Sequence, residues 1–80
     1  MGNWERAARF VVTEIRHGAT GAVLDYSAAD ANDPQACDSS LRGMLAHARY
    51  VSAVSPFEVA VARQGEACEI SRYCGGRRVS

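Results

Sequence analysis

The stretch Arg9–Ala28 constrains the fold most, because it places two runs rich in strand-forming residues on either side of the loop GATG. If His17 faces Ala22, one face of the resulting pair is mostly apolar and the other is mostly polar near the turn. This separation is typical of an antiparallel hairpin with one buried face. The same register sets Glu14 opposite Asp25, an unfavourable pairing of like charges.

A helix is the alternative for this first element. One helical face would collect apolar residues, with Asn3 as the N-cap and Gly18 as the stop: Trp4, Ala7, Ala8, Val11 and Ile15. The run Phe10–Thr13 is rich in strand formers and favours the hairpin. Residues 3–8 are expected to form a helical turn in either case.

The residues from Asp33 onwards predict one amphipathic helix. Asp33 can cap the free N–H groups and Pro34 suits the first helical position, while Ser55-Pro56 marks the end. Gly43 is interpreted as a point of close packing between helix and sheet, because glycine inside a helix costs about 1 kcal/mol relative to alanine. Apolar residues recur at spacings of three and four, which predicts one stripe against the sheet: Cys37, Leu41, Met44, Leu45, Ala48, Val51 and Val54.

The segments Phe57–Arg63 and Glu66–Tyr73 predict a second hairpin around the turn QG, with Val61 facing Cys68. We therefore predict an α+β fold of ββαββ order, in which a four-stranded antiparallel sheet carries one helix on one face. A helical first element would instead give αβαββ. Residues 1–80 are expected to form a single small globular domain, with residues 75–80 as a flexible tail.

Composition restricts the classes of function. Nine acids balance nine bases, which argues against direct nucleic-acid binding. The N-terminus lacks the basic and apolar regions of a signal peptide, and no apolar stretch reaches the length of about 18 residues that a membrane span needs. We therefore expect a cytoplasmic protein with no membrane partner. All nine bases are arginine, a residue well suited to protein interfaces.

No catalytic, cofactor or metal motif stands out in the sequence. Neither C-x-x-C nor H-x-x-x-H spacing occurs, and there is no nucleophile elbow. A chain of 80 residues also leaves little room for a pocket of the usual ligand-binding size. We therefore expect a protein that is not an enzyme and holds no cofactor or metal.

The three cysteines are an odd number, which in a cytoplasmic protein indicates reduced thiols. Cys37 and Cys68 are predicted to lie in the core. Cys74 precedes two glycines at the end of the sheet, so we expect it to be exposed enough for an intermolecular disulfide, as in a homodimer.

Two groups of residues are candidates for binding a protein partner. The first is an acidic stretch that contains no basic residue: Asp25, Asp30, Asp33 and Asp38. These aspartates either line a solvated loop and the helix N-terminus or form an acidic rim that binds a basic groove of a partner. The outward side of the helix is either an ordinary wet surface or a binding surface that mixes arginine with an aromatic residue: Arg42, His47, Arg49 and Tyr50. The exposed face of the sheet is a third candidate for a binding surface.

The segments RFVVTEIRHGATGAVLDY, DPQACDSSLRGMLAHARYVSAV and FEVAVARQGEACEISRY make up a short, arginine-only chain with an acidic loop. In size and pattern it resembles the small proteins encoded by phages and mobile elements, and among them the anti-CRISPR inhibitors of type I systems. The resemblance implies binding to a CRISPR effector complex and a block of target DNA recognition, without enzymatic turnover. That family shares no signature, so no residue role is carried over.

Two other classes of function remain alternatives. One is a small host adaptor or dimeric structural protein. The other is a nucleic-acid-binding module that would use the sheet face or the arginine side of the helix.

Overall fold

The computed structural model describes residues 9–80. Within them it contains one helix and five strands: β1 (Phe10–His17), β2 (Val23–Asp30), α1 (Pro34–Val54), β3 (Val59–Arg63), β4 (Glu69–Cys74) and β5 (Arg77–Arg78). The strands form one sheet of order β2-β1-β3-β4-β5, in which every neighbouring pair is antiparallel. The helix packs on one face of this sheet. The predicted α+β fold and ββαββ order are confirmed, with β5 as an additional strand.

The first element is extended from Phe10 to His17, so the helical alternative is wrong for these residues. A strand at this position pairs with β2 on one side and with β3 on the other, which makes β1 a central strand of the sheet. The helical turn expected at residues 3–8 lies outside the described residues.

The helix begins and ends where the sequence predicts. Asp33 Oδ1 accepts a hydrogen bond from the Ala36 N–H at 3.0 Å, and Pro34 occupies the first turn. This arrangement satisfies one of the free N–H groups of the first turn. The helix ends at Val54 because Ser55 is extended ahead of Pro56.

The core lies between α1 and the sheet. Its centre consists of five buried side chains: Ile15, Ala48, Val59, Val61 and Tyr73. Five members of the predicted helix stripe belong to this core: Leu41, Met44, Leu45, Ala48 and Val51. Val54 is exposed and Cys37 stands apart from the cluster, so the stripe is shorter than predicted. The predicted packing role of Gly43 is also wrong, because a Cβ added there would meet nothing within 4 Å.

The first hairpin contains a β-bulge that the sequence analysis did not anticipate. Ile15 pairs with Asp25 and Arg16 pairs with Val23, so Leu24 is an extra residue between the two pairs. Beyond the bulge, every pair differs by one residue from the predicted register. Because side chains alternate between faces, this shift moves the residues of β2 to the face opposite the predicted one.

The shift also removes the predicted repulsion between Glu14 and Asp25. Glu14 lies opposite Tyr26, and its Oε1 accepts a hydrogen bond from Arg16 Nε at 2.8 Å. The carboxylate of Asp25 instead points to the side of the sheet that carries the helix, where it contacts His47.

The second hairpin differs from the prediction in its loop. Val61 faces Ser71 rather than Cys68, and Val59 faces Tyr73. The loop between β3 and β4 is therefore longer than two residues, and Cys68 lies exposed within it rather than in the core. The longer loop brings Tyr73 inward, where it is the largest fully buried side chain.

Residues 75–80, expected to be a flexible tail, return along β4 instead. Gly75 and Gly76 form a tight turn at positive φ, a conformation that favours glycine. Gly76 N–H donates to the buried Ser52 Oγ of the helix at 2.9 Å. Val79 N–H donates to the carbonyl of Arg72 at 2.8 Å, which continues the pairing past β5.

Candidate functional site

The open face of the sheet, opposite the helix, is divided into two halves. The half over β3 and β4 is covered by arginines and glutamates. Ala60 lies between Arg16 of β1 and Arg72 of β4 in the ladder, and only 3% of its surface is exposed. Long arginine side chains cover apolar surface with their methylene stems while the charged ends stay in water. We call this region the charged half.

Arg72 connects the charged half to two loops. Its guanidinium binds Glu69 through two hydrogen bonds, lies 3.8 Å from Glu58, and donates to the carbonyl of Gly18 at 3.3 Å. The hydrogen bond to Glu69 raises the pKa of Arg72 above its usual value, so the guanidinium stays charged. Arg16 has a similar role at the other end, because it donates to the carbonyls of Arg63 and Glu66. These contacts account for the charged half as a structural network.

The half over β2 and the start of β1 is mostly apolar, although Asp30 shares it and Glu14 and Arg16 of β1 border it. We define the apolar half by six residues whose side chains lie on the open face: Phe10, Val12, Val23, Leu24, Tyr26 and Ala28. The exposed fractions of its large side chains are high: 55% for Phe10, 51% for Val23, 42% for Leu24 and 65% for Tyr26. Scattered apolar residues are normal on a protein surface, but a contiguous group marks an interaction site.

The bulge at Leu24 explains how this apolar half arises. In the predicted register, Leu24, Tyr26 and Ala28 would have faced the core. The bulge turns them to the open face and brings Asp25, Ser27 and Ala29 beneath the helix instead. Three of the six residues of the apolar half are thus residues that the sequence pattern assigned to the interior. The pair Val23-Leu24, two apolar neighbours that break the alternation, was the signal that could have revealed it.

The apolar half continues into a groove at the end of β1. The groove has a volume of about 200 Å³ and is lined by residues of β1 and of the β3–β4 loop: Phe10, Val11, Val12, Arg63, Gln64 and Glu66. Three of these six residues are polar or charged, so the groove joins the apolar half to a polar border. Ligand pockets are usually larger and more enclosed, so we interpret the groove as part of a docking surface.

β2 is an edge strand. In the described part of the chain it pairs only with β1, so its outer N–H and C=O groups have no strand partner. Such an edge can accept a strand from another chain. From Asp25 to Asp30 its register against β1 is unbroken, so this part presents a regular edge.

The predicted acidic residues are concentrated at this edge, and the fold uses all four. Asp25 Oδ2 lies 3.1 Å from His47 Nε2, and Asp30 Oδ1 accepts from Asn32 N–H at 2.8 Å. Asp33 caps the helix. Asp38 forms an ion pair with Arg42 at 2.9 Å on the exposed helix surface. Each of the four aspartates therefore has a structural role, and their binding to a partner stays a prediction.

The residues predicted on the outward side of the helix do not share one side. His47 contacts Asp25 of β2, and its ring stacks on Tyr50 with centroids 6.2 Å apart. Arg49 lies over the ring of Tyr73 in β4, at 5.4 Å from the centroid. Because β2 and β4 lie on opposite sides of the sheet centre, the structure divides this predicted surface in two.

The cysteines are all free thiols. Cys37 is half-buried and its Sγ donates to the carbonyl of Asp30 at 3.2 Å, whereas Cys68 and Cys74 are exposed. The exposure of Cys74 agrees with the prediction, and its participation in a disulfide between chains stays a prediction.

Within residues 9–80, no cluster of three or more metal-ligating side chains occurs, and no helix is long and apolar enough to cross a membrane. Comparisons with protein-family models, curated proteins and solved structures found no match for this chain.

Proposed function

We propose that this protein is a non-enzymatic inhibitor that binds another protein through the apolar half and the adjoining edge of β2. The observation that carries the proposal is the position of the apolar half, which lies beside a strand edge that has no strand partner within residues 9–80 and beside acidic side chains. An apolar centre with a charged rim is the usual anatomy of a protein interface.

The chemistry of the surface favours a basic partner. Asp30 lies opposite Phe10 on the open face and Asp33 directly follows β2, so a partner that covers the apolar half meets carboxylates at its rim. Complementary charge at a rim increases the association rate and selects the partner. Tyr26 is the expected anchor, because exposed tyrosines that become buried carry a large share of binding energy.

Grooves that hold nucleic acid are basic surfaces of this kind. We propose that the partner is an effector complex of a type I CRISPR system, and that the bound inhibitor occupies a basic surface that target DNA requires. The resemblance of the chain to anti-CRISPR inhibitors supports this choice of partner. The bound inhibitor then blocks this basic surface by occupying it, without enzymatic turnover, in the cytoplasm where the effector complex acts.

The test is capture of a purified type I effector complex on the immobilised protein, followed by measurement of target DNA binding. Tyr26→Ala is expected to weaken the complex about tenfold or more, in the range of an interface anchor. Tyr50→Ala is the matched control, because Tyr50 is equally exposed, at 64% against 65%, but lies on the helix. It should leave binding unchanged.

Three results would contradict the proposal. One is the failure of every type I effector complex from the host to retain the protein. Another is a loss of binding in Tyr50→Ala with none in Tyr26→Ala, which would place the site on the helix. The third is a shift of free target DNA by the protein alone at low salt, which would indicate a nucleic-acid-binding module instead.

A further inference from the structure

We propose that two copies of this protein associate head to tail, with the β2 edge of one copy against the β5 edge of the next. This proposal is independent of the effector complex. It depends on how the charges are distributed between the two ends of the sheet.

Many charged side chains are already committed within one chain. The ion pairs between arginine and carboxylate among the described residues are Glu14–Arg16, Asp38–Arg42, and Arg72 with Glu58 and Glu69. Four carboxylates of residues 9–80 have no arginine partner and five arginines have no carboxylate partner, and these nine residues determine how the charge differs between the two ends of the sheet. Six of the nine fall into two groups, one at each end of the sheet; the exceptions are Arg63, Glu66 and Arg9, whose carbonyl accepts a hydrogen bond from the Ala31 N–H just after β2.

The first group makes the β2 edge acidic. Asp25 and Asp30 belong to β2, and Asp33 follows it directly, in a turn closed by its N–H to the carbonyl of Asp30 at 3.0 Å. Asp30 and Asp33 are exposed, and 46% of the Asp25 side chain is accessible beside His47. We call these three residues the acidic edge.

The second group makes the opposite end of the sheet basic. Arg77 and Arg78 form β5 and are both exposed. Arg49 of the helix lies next to them. Its backbone carbonyl is 3.6 Å from the position that a Cβ atom on Gly76 would occupy, and Gly76 directly precedes β5. We call these three residues the basic edge.

Both edges also have backbone groups available for pairing. β2 and β5 are the terminal strands of the sheet, and each is paired on one side only within the described residues. Joining the acidic edge of one copy to the basic edge of another continues the sheet and pairs carboxylates with guanidiniums, which form strong hydrogen-bonded ion pairs. Joining β2 to β2 would set acid against acid.

The contact is heterologous, since it uses two different surfaces. A contact of this type leaves one free edge at each end of the dimer and so allows longer chains of copies. The second copy also covers the β2 edge. Self-association is therefore expected to compete with any partner that docks there.

The first test is sedimentation velocity over a range of protein concentrations. The sedimentation coefficient is expected to rise with concentration in about 0.1 M salt. The rise should be lost in about 1 M salt, where the Debye length falls from about 10 Å to about 3 Å. It should also be lost in Arg77→Glu/Arg78→Glu. Arg42→Glu/Arg63→Glu carries as many charge reversals away from the basic edge and should keep it.

The second test identifies the residues that meet. The chain contains no lysine, so Arg77→Lys introduces a single side-chain amine at the basic edge and keeps its charge. A carbodiimide condenses this amine with nearby carboxylates, and mixing labelled with unlabelled protein shows which products join two copies. The expected product joins position 77 of one copy to Asp25, Asp30 or Asp33 of another. Arg42→Lys is the control, because its amine lies next to Asp38 of its own chain.

Several results would overturn the proposal: a monomer at every concentration, association that persists in about 1 M salt, or inter-copy products that avoid the acidic edge. Association that survives in Arg77→Glu/Arg78→Glu but is lost in Tyr26→Ala would show that copies stack through the apolar half instead. Capture of an effector complex is measured in a separate experiment, so the two proposals fail separately.

Discussion

At the scale of single residues, the glycines show how little sequence alone reveals about their roles. Gly18 directly follows β1 and Gly43 lies within α1, and their surroundings are opposite. A Cβ at Gly18 would come within 2.6 Å of Arg72 Nη1 and 2.9 Å of the Glu58 carbonyl, whereas a Cβ at Gly43 would meet open space. The sequence predicted close packing at Gly43, and the structure places close packing at Gly18.

Gly43→Ala is therefore expected to stabilise the protein by about 1 kcal/mol, because alanine is the better helix former and nothing obstructs its methyl group. In a domain of this size that gain corresponds to a rise of about 4 to 8 °C in the midpoint of thermal unfolding. Gly18→Ala is the contrasting variant and should lower the midpoint. A decrease for Gly43→Ala would mean that the position has a contact that the structure does not contain.

The cysteines allow a second test at this scale. Cys68 and Cys74 are exposed, while the Cys37 thiol is half-buried and hydrogen-bonded to the Asp30 carbonyl. Thiol reactivity depends on access, so two cysteines should react rapidly with iodoacetamide in the native protein and the third slowly. Mass spectrometry of the modified peptides identifies each site. Slow modification of Cys68 would restore the predicted core position and contradict the longer loop.

At the scale of elements, Ser52 attaches β5 to the helix. Its side chain is fully buried, and its Oγ donates to the Arg49 carbonyl at 3.0 Å while it accepts from Gly76 N–H at 2.9 Å. This hydroxyl lies at the end of the apolar stripe, one turn after Ala48, and gives the β4–β5 turn a fixed position. The strand that the sequence predicts as a flexible tail is thus attached to the helix through one polar residue, in addition to its pairing with β4.

Ser52→Ala is expected to cost about 1 to 3 kcal/mol, because it leaves the Gly76 N–H without its acceptor. Chemical denaturation measures the loss of stability. Amide exchange at Val79, whose N–H pairs with the Arg72 carbonyl, should accelerate as β5 loosens. Ser40→Ala is the control: it removes a hydrogen bond to Ser27 Oγ at the other end of the helix and should leave exchange at Val79 unchanged.

The hairpins show which features of the elements were predictable. The loop of the first hairpin, the helix cap at Asp33 and the apolar stripe of α1 are local patterns, and each was found close to where the sequence places it. The pairing of the strands was not. The bulge at Leu24 and the long loop that exposes Cys68 each depend on contacts between segments distant in sequence.

At the scale of the whole molecule, the bulge decides both sides of the β1–β2 hairpin. It turns Leu24 and Tyr26 outward into the apolar half, and it brings Asp25 beneath the helix next to His47. The site proposed for a partner is therefore a consequence of strand register. The acidic edge and the basic edge likewise depend on the assembled sheet, because the strand order places β2 and β5 at its two ends.

The sequence by itself determined the order of elements and the residues that begin and end the helix, because caps, turns and amphipathic spacing depend on neighbours a few positions away. It also determined that the charges balance. Only the tertiary structure decided which face of β2 is buried, where Tyr73 and Cys68 lie, and that acids and arginines gather at opposite ends of the sheet. The physical reason is that a one-residue change of register reverses every side chain of a strand, and only packing against the helix selects between the two arrangements.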